Sequence, residues 1–253
     1  MDGQSGTELV LDIGNSRMKM GLFRHGRPHA MAKAAVGDLD AVRRFVQDRA
    51  PIRCIVGSVA RPDPGFLEAL AKLAPVCRLT GRSPSPVRSR YRTPDTFGVD
   101  RLANVVAAAA IFPGRTALAI DAGTCITCDL VDAKGVHHGG IISPGLRMRA
   151  KAMHDYSARL PEVEAPEDTP LPGTDTTECL AAGVHHGMMM ELRGYIRHFA
   201  DQHPGLAVVI TGGDAVRAAR GLKNGIFAHP TLTLIGLHVL AHHETDLRAA
   251  PDR

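Results

Sequence analysis

Two short segments of this chain set a carboxylate, a turn glycine and a polar group in the same order: Asp12-Ile13-Gly14-Asn15-Ser16 and Asp121-Ala122-Gly123-Thr124. In each, the Asp ends a predicted strand, the Gly makes the turn, and a hydroxyl leads into the next strand. A hairpin of this kind aims backbone N–H groups and a hydroxyl at a phosphate, while the strand-end carboxylate faces the metal that neutralises it. Phosphates are then held without a helix. Lys19 adds a mobile cation. One such turn alone reads as an ordinary hairpin; two copies, each opening a β-meander in successive halves, favour the phosphate reading. The rival phosphate motifs are missing, since no G-x-x-x-x-G-K-[ST] occurs and no two glycines stand at i, i+2. A third glycine turn, Ile210-Thr211-Gly212-Gly213-Asp214-Ala215, separates a predicted strand from a helix and offers bare backbone to an adenosine.

The elements that must position these groups follow from apolar spacing. Leu9–Asp12, Met18–Phe23 and roughly Ala30–Ala35 read as a three-strand meander, followed by a helix from Asp38, whose apolar residues Leu39, Val42, Phe45 and Val46 keep a helical period. A strand at Cys54–Val59, a helix at Gly65–Leu73 and a strand at Val76–Leu79 come next. Then Thr80–Phe97 forms a loop rich in Pro, Ser and Arg, of the kind that carries function, and a helix at Val99–Ile111 closes the half. The order repeats with strands at Thr116–Asp121, Thr124–Val131 and Val136–Ile142 and helices at about Gly145–Tyr156 and Thr177–Gln202. A strand at Ala207–Thr211 and a helix at Leu232–His243 complete it. On the long helix, Met188, Met189, Met190, Leu192 and Ile196 offer more apolar surface than one core is expected to use, which suggests a partner interface.

Composition narrows the function classes. The 253 residues are 44% hydrophobic and 22% charged, enough for two compact domains. The net charge of +4 is scattered outside Arg82, Arg88, Arg90, Arg92 and Arg101, and there is no Trp, so nucleic acid is not implied. No window suits a membrane span and no signal-like start is present, so a cytoplasmic protein is expected. Its five cysteines then read as thiols. Cys125 and Cys128 have zinc spacing, but in a strand they point to opposite faces. His238 and His242 lie one helical turn apart without the Glu of a metalloprotease motif. His137-His138 and His185-His186 read as solvated or locally hydrogen-bonded pairs.

The paired meanders, the two Asp-x-Gly hairpins and the Gly-Gly turn resemble the actin-like acetate and sugar kinase superfamily. With Gly98-Val99-Asp100-Arg101 after the Arg-rich loop, and with the stretches Gly139-Gly140 to Gly145 and Gly173 to Gly183, the chain resembles the type III pantothenate kinases over almost its whole length. Ser16 stands where that family commonly has Thr, and Asp175 where it usually has Asn. The resemblance implies an α/β fold of two actin-like (ribonuclease H-like) domains. Residues 1–114 would carry the phosphate hairpin and the Gly-x-Asp-Arg segment, and residues 115–253 the second hairpin and a dimerisation helix. It further implies ATP-dependent phosphorylation of pantothenate to 4'-phosphopantothenate, the first step of coenzyme A biosynthesis, by a homodimer using Mg²⁺ and a monovalent cation, K⁺ or NH₄⁺.

Carried over by position, Asp12, Ile13, Gly14, Asn15, Ser16, Arg17, Met18 and Lys19 would hold the ATP phosphates, with Thr124 also contacting ATP. Asp100 would be the base on the pantothenate hydroxyl. Tyr91, Gly98, Val99, Arg101 and Thr176 would bind pantothenate, and Asp121 would ligate the monovalent cation. The alternatives are another small-molecule kinase of the superfamily and a catalytically silent nucleotide-binding regulator of the same fold. Retention of Asp12, Asp100 and Asp121 together argues against the silent regulator.

Overall fold

The computed structural model describes residues 6–47, 49–60, 62–222 and 226–249. The chain forms two compact units. Among the described residues, the first takes those up to Ile111, then Gly135–His137, then those from Thr231; the second takes those of Phe112–Lys134 and His138–Pro230.

In the first unit, β1 (Thr7–Ile13), β2 (Met18–Arg24) and β3 (Arg27–Ala34) form the antiparallel meander. β4 (Pro51–Ser58) and β5 (Val76–Leu79) extend the sheet in parallel beyond β1, giving the order β3-β2-β1-β4-β5. β1 is central and buried throughout, which is why it reads as a continuous apolar run broken only by Glu8 and Asp12. Its alternate residues Leu9, Leu11 and Ile13 share a core with Val42 and Val46 of α1 (Leu39–Val46) and Phe66 and Leu70 of α2 (Pro64–Ala71). Both helices start where a carboxylate accepts a third-residue amide: Asp38 from Ala41 N at 2.8 Å and Asp63 from Phe66 N at 3.0 Å. The Thr80–Phe97 segment contains a two-residue strand, β6 (Arg88–Ser89), and a 3-10 turn at Pro94–Thr96 ahead of α3 (Val99–Ile111).

The second unit repeats the design with β7 (Ala117–Ala122), β8 (Cys125–Val131), β9 (Val136–Pro144), β10 (Ala207–Thr211) and β11 (Ile226–Ala228), in the order β11-β10-β7-β8-β9. The β7–β8 pair is antiparallel and β7–β10–β11 parallel, matching the first sheet. α4 (Leu146–Asp155), α5 (Thr176–Gln202) and α6 (Ala215–Leu222) belong to this unit. Two copies of a meander followed by parallel crossovers make the fold a doubled α/β architecture of the actin-like kind, as expected.

Two expectations need correction. α7 (Leu232–Ala249), which a division at 114/115 assigns to the second half, packs in the first unit against α3, β1 and β4. Its Leu234, Leu237, Leu240 and Ala241 are buried there, with Leu237 set over Gly57, so apolar burial decides its place. The methionines of α5 also fail to form an unpartnered stripe. Met188, Met189 and Leu192 are buried in the second unit's own core, Ile196 packs against it, and Met190 alone of the five is exposed. All five cysteines are outside disulfides, and burial pushes the Cys54 thiol up to about 11. Among the described residues no helix is long and apolar enough to cross a membrane.

Candidate functional site

The first hairpin turns between Ile13 and Met18, where Gly14 N donates to Arg17 O at 3.1 Å. Asp12 and Lys19 are directly opposite each other in the β1–β2 register, and Lys19 Nζ lies 3.6 Å from Asp12 Oδ2. Asp12 is largely buried, whereas Asn15, Ser16 and Arg17 are exposed at the tip. Ile13 and Met18 point into the core, so of the eight residues assigned to phosphates these two can contribute backbone only.

The same unit holds a second constellation. Asp100 stands in the first turn of α3, and its Oδ1 accepts from Arg101 N at 2.8 Å. A Cβ on Gly98 would overlap this carboxylate, so the residue that begins the Gly-x-Asp-Arg segment must be bare for the acid to fold back over the backbone. Arg101 is 5% exposed, its guanidinium carbon 5.3 Å from the Tyr91 ring centre and 5.2 Å from that of Phe97. Its Nη1 reaches Tyr91 Oη at 3.4 Å. The imidazole of His137, fully buried, stacks on Phe97 with ring centres 5.0 Å apart, and Ser89 Oγ lies 2.9 Å from its Nδ1. The contact arises because Val136–His137 pairs in parallel with β6.

Thus the structure brings Tyr91, Gly98, Asp100 and Arg101 together, while Val99 is core. It adds Phe97, which sequence reasoning did not single out, and His137, which is not solvated, as one reading of the His137-His138 pair has it, but fully buried and in contact with Ser89. Arg101 is thus a buried cation flanked by two aromatic faces.

In the second unit, Asp121 is the penultimate residue of β7, and Gly123 N donates to Cys125 O across the second hairpin at 3.1 Å. Gly145 N, at the start of α4, donates to Thr124 O at 3.1 Å. The Gly-Gly turn also closes on this strand end, since Asp214 N donates to Ala122 O at 2.9 Å. Gly212 there has φ +104°, and a Cβ on it would overlap the Ala122 backbone and Asp121 Oδ1. Burial pushes the Asp214 carboxyl up, opposed by Arg217. Thr176 is exposed at the first position of α5. Asp175 just before it is that helix's N-cap, accepting from Glu178 N at 2.8 Å. Its carboxylate therefore has a local structural use.

These groups suit phosphoryl transfer: strand-end carboxylates for cations, glycine turns for phosphates, and a positioned carboxylate for a hydroxyl proton. Comparison with known proteins agrees. A family model described as type III pantothenate kinase matches residues 8–198. A type III pantothenate kinase from Phocaeicola vulgatus is 40% identical over 238 residues, covering 93% of this chain and 98% of that protein. One from Flavobacterium psychrophilum is 33% identical over 238 residues, covering 93% and 99%.

Among solved structures, the activator of the 2-hydroxyisocaproyl-CoA dehydratase from Clostridium difficile with bound ADPNP has a TM-score of 0.55 at 14% identity, covering 98% of this chain and 99% of that one. A ROK family glucokinase from Streptomyces griseus, in complex with glucose and AMPPNP, has 0.53 at 14% identity, covering 94% and 99%. At these identities the structures bear on the fold alone.

Proposed function

The chain belongs to the type III pantothenate kinase family, and from that premise we infer that it transfers a phosphoryl group from ATP to the hydroxyl of pantothenate, the first step of coenzyme A biosynthesis. The observation that carries this reading is the family match over residues 8–198, which spans both Asp-x-Gly hairpins and the Gly-x-Asp-Arg segment. An ADP-release assay with pantothenate, acetate and simple sugars tests it. Release stimulated by pantothenate alone is expected, and equal release without it would leave only a nucleotide-binding protein.

The division of labour we propose follows the geometry within each unit. The turn at Gly14–Arg17 and Lys19 hold the phosphates of ATP, and Thr124 adds a contact from the second hairpin. Arg101 and Tyr91, in contact with each other, help to bind pantothenate. Asp100, its carboxyl oriented by the Arg101 amide, accepts the hydroxyl proton as the oxygen attacks the γ-phosphorus. Cations bound at the site would offset charge on the transferring group. Asp12 beside Lys19 fits the Mg²⁺ side, and Asp121 Oδ1, in the space Gly212 leaves bare, fits a monovalent ion. The five cysteines, all outside disulfides, accord with a cytoplasmic setting.

Two expected results test the finer points. Rates at constant ionic strength with Mg²⁺ present should fall about 10-fold or more when K⁺ or NH₄⁺ is replaced by Na⁺, roughly the effect of one poorly neutralised charge. Asp121→Asn should flatten that dependence, and equal rates in all three salts would remove the cation assignment. The second concerns a homodimer in which Thr176 serves the neighbouring chain's pantothenate. Its exposure at the start of α5 leaves it available. Co-refolding Asp100→Asn with Thr176→Ala chains would then put both defects in one pocket of each mixed dimer and leave the other intact. Random mixing should restore about a quarter of native activity. Demonstrated mixed dimers without recovery, or a monomer by light scattering, would refute the shared site.

A further inference from the structure

Glu8 is a buried carboxylate on β1, and two imidazoles of α7 converge on it. His238 Nε2 lies 2.7 Å and His242 Nε2 2.8 Å from the same oxygen, Oε2. The other oxygen, Oε1, is held by Arg53 of the adjacent strand, from Nε at 2.9 Å and Nη2 at 2.7 Å. His238 is fixed further by stacking on Phe23 with ring centres 4.6 Å apart. Burial alone would push the Glu8 carboxyl up; the two histidines and Arg53 outweigh it and hold the group well below the usual carboxylate range. Glu8 thus forms an ion pair with Arg53, accepting both of its bonds through Oε1.

One contact in this cluster sets two nitrogens against each other. His242 Nε2 also lies 3.1 Å from Arg53 Nη2, which can only donate. If that nitrogen carries a hydrogen, it opposes the arginine; if it carries a lone pair, it opposes Glu8 Oε2. A cation among the three atoms would receive one lone pair from each of Glu8 Oε2, His238 Nε2 and His242 Nε2, while Arg53 keeps both bonds to Oε1. The three ligand atoms already lie within 4.8 Å of one another. Bonds of about 2.0–2.2 Å around a tetrahedral ion need the nitrogens to move from the oxygen by about 0.5–0.9 Å.

We propose that Glu8, His238 and His242 form a binding site for a divalent transition metal of the zinc class. Two imidazoles and one carboxylate suit such an ion better than Mg²⁺, which prefers oxygen ligands. Arg53 is the outer partner that orients the carboxylate. The fourth position faces a cavity of about 550 Å³ lined by Gly6, His25, Pro86, His243 and Asp246, with room for water. The two histidines are one helical turn apart, and the carboxylate comes from a strand 230 residues earlier. The ion would therefore pin α7 to β1, the strand that carries Asp12 four residues further on.

The test uses tag-free full-length chain stripped with a chelator, then titrated with Zn²⁺ against a chromophoric chelator. One tight site per chain is expected, with a rise in melting temperature of about 5–10 °C at saturating zinc. His242 is half-exposed, so His242→Ala should fold normally by circular dichroism yet bind at least about 100-fold more weakly and lose the thermal response, and Glu8→Gln should match it. His243→Ala, changing the neighbouring imidazole outside the triad, should bind like the parent. Zinc binding equal in parent and His242→Ala chains, or no binding by the parent, would overturn the site and leave a hydrogen-bonded clamp.

Discussion

Replacing Asp100 with asparagine should lower turnover by about 10²- to 10⁴-fold while ATP binding stays nearly intact, because the amide keeps the shape of the side chain but cannot take the hydroxyl proton. The geometry makes this a sharp experiment. Asp100 Oδ1 accepts from the Arg101 amide in the first turn of α3, so the acid also meets the positive end of a helix. If that structural use were its whole role, the variant would melt earlier and turn over at a near-native rate. Steady-state kinetics beside a thermal melt separates the two, and near-native turnover would falsify the base assignment.

Gly212→Val should cost about 2–4 kcal/mol of stability and raise the KM for ATP about 10-fold or more. Valine is strained at φ +104°, and its Cβ would overlap the Ala122 backbone and the Asp121 carboxylate. The second hairpin can admit it only by moving the strand end that holds Asp121. A substitution that merely loosens a strand-to-helix joint would lower the melting temperature and leave the KM for ATP unchanged. Measuring both on the same preparation decides whether the Gly-Gly turn serves the nucleotide.

Much of this architecture was legible because the signals were local. The meanders show in alternating and continuous apolar runs, and the α3 boundaries at Val99 and Ile111 coincide with the expected ones. The hairpins show because Asp, Gly and a polar residue stand within five positions. What stayed hidden depends on distant pairing. His137 is buried on Phe97 because β9 pairs with a two-residue strand too short to carry a pattern. The α5 methionines misled because three apolar residues in a row do not say which face the core will take; Met188 and Met189 are buried and Met190 is not. His238 and His242 looked incomplete because their acidic partner lies at the far end of the chain.

The place of α7 has a consequence for the order in which the protein can be made. Every residue of the second unit precedes Thr231, whereas the first unit is finished only by the helix that follows it. During synthesis the later-numbered unit can bury its core while the earlier one still exposes the faces of α3, β1 and β4 that α7 will cover. The first half of the gene product is thus the last to mature, and its unfinished apolar face is the surface a ribosome-bound chaperone would meet. Closing it requires a contact between segments more than a hundred residues apart, a slow search by loop-closure entropy.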